Sequence, residues 1–75
     1  MEKKIVVLAA VDQDSLERNG ADAEETHCET VGAAKARAKY LLTEEYMRNC
    51  ESTTKLGYSK VLVNGVCVAD YDSHN

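Results

Sequence analysis

Residues 58–71 read YSKVLVNGVCVADY, and the fold turns on how this stretch is interpreted. Two runs rich in β-branched and aromatic side chains flank Asn64-Gly65. That dipeptide suits a two-residue type I′ turn, because both central positions need positive φ and Asn and Gly tolerate it. A two-residue loop fixes the register, setting Val63 opposite Val66, Leu62 opposite Cys67, Val61 opposite Val68 and Tyr58 opposite Tyr71. Val61, Val63, Val66 and Val68 then share one face, and Tyr58, Leu62, Cys67, Ala69 and Tyr71 share the other, with Tyr58 and Tyr71 reading as a cross-strand contact.

Upstream of the hairpin, residues 31–51 are mostly Ala, Leu, Lys, Arg, Glu and Met, with no breaker after Gly32. This composition predicts one long helix, entered through Thr30, whose hydroxyl can accept a free N–H of the first turn. Val31, Ala34, Ala38, Leu41 and Leu42 form one apolar stripe, and Ala33, Ala36, Tyr40, Thr43 and Met47 form a second on the far side.

Nearer the start, residues 4–11 are an apolar, largely β-branched run that predicts a buried strand. Residues 12–23 lack an apolar period and predict an acidic loop, with at most one helical turn around Ser15 to Arg18. Residues 24–30 alternate weakly and predict a possible edge strand. Together these give an α+β fold in a single domain spanning residues 1–75, of order β(β)αββ, with one long helix on a small sheet closed by the Asn-Gly hairpin.

The chain has 75 residues, a size at which only about 60% of the unfolded surface is buried, so a monomer has little room for a walled substrate cleft. The strands are apolar on both sides while the sequence supplies one helix. That imbalance predicts a covered second face, most economically through a homodimer and otherwise through a foreign protein partner.

Charge is unevenly placed. Between residues 12 and 29 seven acids face the single base Arg18, a balance of −6 within a chain whose net charge is −4. An acidic chain without a basic stripe argues against nucleic-acid binding. No run approaches the roughly 20 apolar residues of a membrane span. The apolar run of residues 5–11 is shorter than a typical signal sequence, and three scattered cysteines do not make a disulfide framework. The expectation is a reduced, cytoplasmic protein.

Motifs for chemistry are sparse. His27, Cys28, Cys50, Cys67 and His74 are zinc-type ligands but lack paired spacing, so buried or exposed structural roles are expected, with no metal and no cofactor. The four glycines are scattered rather than gathered into a phosphate loop. Asp12 and Asp14 stand at the end of the first strand, where a hard cation is conceivable and simple solvation is commoner. Lys35, Arg37 and Lys39 can in principle grip an anionic ligand. Since positive charge early in a helix opposes the macrodipole, carboxylates of residues 22–29 are expected near Lys35 and Lys39.

A short strand such as residues 4–12, an Ala- and Lys-rich helix and a closing hairpin such as residues 61–69 resemble, in style, the small orphan α+β proteins of phages and mobile elements. The resemblance implies inhibition of host defence systems by protein contact, through acidic surfaces that imitate nucleic acid. The sequence-level expectation is therefore a non-enzymatic protein-binding module using an acidic or apolar surface, with Asp12, Asp14, Glu17, Asp22, Glu24 and Glu25 as candidate contacts. The alternative is a dimeric protein that sequesters an anionic nucleotide at Lys35, Arg37 and Lys39. An enzyme with a site shared between subunits ranks third.

Overall fold

A computed structural model describes residues 4–26 and 28–73. Four strands, β1 (Ile5–Ala10), β2 (Ala23–Glu25), β3 (Tyr58–Val63) and β4 (Val66–Asp72), form one sheet in the order β2-β1-β3-β4 with every neighbouring pair antiparallel. Three helices, α1 (Gln13–Asn19), α2 (Val31–Tyr40) and α3 (Glu44–Asn49), complete an α+β domain. His27 and His74 lie outside the described residues.

The core sits between the sheet and α2. Ile5, Val7 and Ala9 of β1 and Val61 of β3 meet Ala34 and Ala38 of α2, followed by Leu41, Leu42 and Leu56. The two alanines are fully buried, and their small side chains let the helix backbone lie close to the strands. Ser59 exploits that closeness: it is fully buried, and its hydroxyl donates to the Ala38 carbonyl at 2.9 Å. A buried hydroxyl without such an acceptor costs about 1–3 kcal/mol.

Residues 12–23 are not the loop their sequence suggests. Asp12, in extended conformation, accepts from the Ser15 N–H at 2.7 Å and starts α1, which ends at Gly20 with φ of 87°. A seven-residue helix with one apolar anchor shows no period, so capping rather than amphipathicity marks it. Within residues 24–30 the strand is confined to Glu24 and Glu25, with Ala23 before them, and it pairs with Val7, Leu8 and Ala9 of β1.

The single helix expected over residues 31–51 is two. The chain turns at Leu41, Leu42 and Thr43, and Thr43 then caps α3 by accepting from the Tyr46 N–H at 3.2 Å. Leu41 is fully buried and Leu42 nearly so. A straight helix points only part of its circumference at the sheet, and turning here seats both leucines in the core before α3 leaves it.

The hairpin turn has the predicted chemistry, with φ of 53° at Asn64 and 86° at Gly65. Val63 pairs with Val66 and Leu62 with Cys67, but the register then shifts by one, so that Val61 pairs with Ala69, Ser59 with Tyr71 and Tyr58 with Asp72. Val68 is the extra residue of a bulge. The slip sends Ala69 and Tyr71 to the α2 side, where both pack on the core, in place of the expected pairing of Tyr58 with Tyr71.

Candidate docking surface

The second face of the sheet carries Val6, Leu8 and Ala10 of β1 and Tyr58, Lys60 and Leu62 of β3. These alternate with the residues that face α2. One end of this face is closed from within the chain: Leu16 of α1 packs on Ala10, Tyr58 and Leu8. The Tyr58 hydroxyl donates to the Asp70 carboxylate at 3.2 Å. Burial first, and then that hydrogen bond, push its phenol up to about 12.

Beyond α1 the described residues leave the face open. Antiparallel pairing aligns Glu24, Leu8, Lys60 and Asp70 in one row across all four strands, and Val6, Leu62 and Cys67 in the next. Val6, Leu8, Lys60 and Leu62 are half-buried, while Glu24, Asp70 and Cys67 are exposed. Val68, 47% exposed, adds apolar surface at the bulge. The arrangement is an apolar centre with a carboxylate on each side. Glu17 of α1 adds a third acid, close enough to Tyr58 to contribute to the rise of its phenol.

The six acids proposed from sequence do not act together. Asp12 caps α1, Asp14 pairs with Arg18 at 3.0 Å, and Glu25 points to the α2 side and pairs with Arg37 at 2.8 Å. Asp22 is exposed just before β2. Glu17 and Glu24 remain at the open face, joined there by Asp70, which sequence reasoning missed. The signal for Asp70 was its place in the hairpin, but the bulge hid which row it joins.

The cations do not converge either. Arg37 lies on one flank of α2, bound to Glu25 and stacked near Tyr40 and Tyr46, with its guanidinium carbon 5.0 Å and 5.7 Å from the ring centres. Lys39 lies over Tyr71 at 5.3 Å, and Lys35 is exposed one turn earlier on that same side. The acidic segment does meet a base of the helix, but at Arg37 rather than at Lys35 or Lys39. Glu25 holds the guanidinium above its usual range chiefly by accepting its hydrogen bonds.

Two hollows accompany these features. One, of about 130 Å³, lies beneath Tyr46, Met47, Cys50 and Leu56, well under the roughly 300 Å³ at which ligand pockets begin. There the Tyr46 phenol is raised, chiefly by the neighbouring Cys50 thiol and then by burial. The other, about 470 Å³ and open, sets Lys39 beside Asp70 and Asp72, a mixture unsuited to holding an anion. Cys28, Cys50 and Cys67 are free thiols, and among the described residues no group of three His, Cys, Asp or Glu side chains is placed to hold a metal ion. No described helix is long and apolar enough to cross a membrane.

No family model matches the chain, and neither the curated proteins nor the solved structures include a significant match.

Proposed function

We propose that the protein is a non-enzymatic binding module that docks another protein on the open end of its second sheet face. The observation that carries this reading is the cluster of half-buried apolar residues Val6, Leu8 and Leu62, in two adjacent rows in the middle of the sheet, where α1 covers the neighbouring end. Apolar side chains in adjacent rows of a rigid sheet form one contiguous surface rather than scattered residues, the kind of surface on which a short segment can dock.

Area bears on the choice of partner. Four strands about 4.8 Å apart and some five residues of open length give a patch of roughly 15 by 15 Å, far below the ~800 Å² per partner of a standard interface. A homodimer formed on this patch alone would be weak, so a short segment of a foreign partner suits it better. The nucleotide-sequestering reading has less support, because Arg37 faces away from Lys35 and Lys39 and is already bound to Glu25. The narrower reading, a phage-type inhibitor displaying carboxylates in place of phosphates, draws on Glu17, Glu24 and Asp70 alone.

The test compares capture of partners by the wild type and by Leu62→Glu, after confirming that the variant keeps its melting temperature. A protein retained by the first and lost by the second supports the reading. The same set retained by both, with sedimentation showing a monomer in each case, overturns it.

A further inference from the structure

We infer that the segment this face accepts is an amphipathic helix whose apolar stripe is flanked by lysine or arginine. The inference rests on the docking reading above and adds the chemistry of the partner. Its basis is charge: the apolar centre formed by Val6, Leu8 and Leu62 has Glu24 on its β2 side, Asp70 on its β4 side and Glu17 on the α1 that bounds it. Lys60 stands in the same row, half-buried between Leu8 and Asp70, and Lys4, exposed beyond Val6, continues the alternation at the end opposite α1, so the three carboxylates border the face on its other sides. A partner with a greasy middle and basic edges meets a carboxylate on three sides.

Shape points the same way. The opposite face shows how this sheet takes a helix: α2, ten residues long, lies across β1 and β3 with buried side chains at positions 34 and 38. The open patch is about 15 Å across, the length of a helix of roughly ten residues. Among the described residues, the second face is covered by the seven residues of α1, at one end, so a second helix completes the layer beside it.

The experiment uses the whole chain and two synthetic 14-residue helical peptides, one of Leu and Lys at helical spacing and one of Leu and Glu. Binding is read by titration and by amide chemical shifts. Because any cationic peptide is drawn to an acidic protein, Glu17→Lys with Glu24→Lys is compared with Glu29→Lys with Glu51→Lys, an equal change of net charge at exposed positions away from the face. The expected result is that the Leu/Lys peptide shifts Val6, Leu8, Lys60 and Leu62, and that the on-face pair weakens it about tenfold at low salt, the sum of two exposed charge contacts. The off-face pair weakens it less than about threefold, the residue of long-range attraction. Equal weakening by both pairs overturns the inference, since bulk charge then accounts for binding. Equal binding of the Leu/Glu peptide on the same residues also overturns it, while leaving the docking reading intact. Absence of shifts on this face with either peptide, together with unchanged capture by Leu62→Glu, removes the docking reading as well.

Discussion

Arg37 on α2 reaches back twelve residues to Glu25 on β2, its Nη2 donating to the carboxylate at 2.8 Å while its guanidinium lies against the rings of both Tyr40 and Tyr46. The two rings meet edge to face at 5.7 Å, and the Tyr40 hydroxyl accepts from Asn49, so this one side chain gathers β2, α2 and α3. β2 has only three residues, too few for strand pairing alone to hold it firmly.

Replacing Arg37 with Ala is therefore expected to lower stability by about 1–2 kcal/mol, combining a partly exposed ion pair with two cation–π contacts. Arg37→Lys keeps the charge but loses the planar stack and the forked donation, so it restores less than half. Urea denaturation checks both. A loss for Arg37→Ala that high salt erases entirely would show that the rings contribute nothing.

Thr43 offers a second check. It sits between α2 and α3, and its hydroxyl accepts from the Tyr46 N–H. Thr43→Ala is expected to cost about 1 kcal/mol, the usual worth of a helix N-cap, and Thr43→Ser to cost little. Amide exchange locates the effect: protection drops over residues 44–49 while residues 31–40 keep theirs. A continuous helix through position 43 would instead gain from alanine.

How far the sequence exposes these features depends on where the information is stored. Asn64-Gly65 was legible because a type I′ turn needs positive φ at two adjacent residues, a demand few dipeptides meet. β1 was legible because an apolar, β-branched run has one economical use, and Thr30 because a cap is a local hydrogen bond. The break at residues 41–43 was overlooked because the surrounding residues are good helix formers, although Thr43 followed by Glu44 and Glu45 is the same kind of local cap signal as Thr30. The bulge at Val68 was hidden, because Ala69 and Tyr71 change face only when α2 is there to receive them. The acids show the same division. Their density in residues 12–29 was plain, but whether each caps, pairs or stays in water depends on strand register, and so Asp70 was missed while Asp12, Asp14 and Glu25 were overvalued.

Tyr58 makes stability depend on alkaline pH. Its phenol rises from the ordinary 10.0 to about 12 in the folded protein, so between these values the unfolded chain loses a proton that the native state keeps. The stabilising contribution is complete below pH 10 and disappears as pH climbs towards 12, a loss of about 2–3 kcal/mol. In Tyr58→Phe this part of the alkaline decline vanishes, at a cost near neutral pH of about 1 kcal/mol for the hydrogen bond to Asp70. Unfolding free energies of both proteins across pH 8 to 12, a window set by the tyrosine reference value, show curves that cross above pH 10, with the wild type more stable below the crossing and Tyr58→Phe above it, if this is correct, and parallel curves if it is not.

Leu16 tests how the second face is closed. It is the buried residue of α1, 7% exposed, and its contacts are Ala10, Tyr58 and the half-covered Leu8. A helix of seven residues is marginal by itself in water, so its docking depends on that one side chain. Leu16→Ala removes methyl and methylene groups whose burial is worth about 2–3 kcal/mol, but α1 can detach at less cost than the whole domain can unfold. The expected outcome is a modest fall in global stability, with protection lost at residues 13–19 and retained in β1 and β3. Detachment also lengthens the apolar row from Val6 and Leu8 to Ala10 and Tyr58, so a dye specific for apolar surface gains fluorescence in the still-folded variant. Uniform loss of protection across sheet and helix would mean instead that α1 and the sheet open as one unit, and that the acidic segment is part of the core rather than a cap upon it.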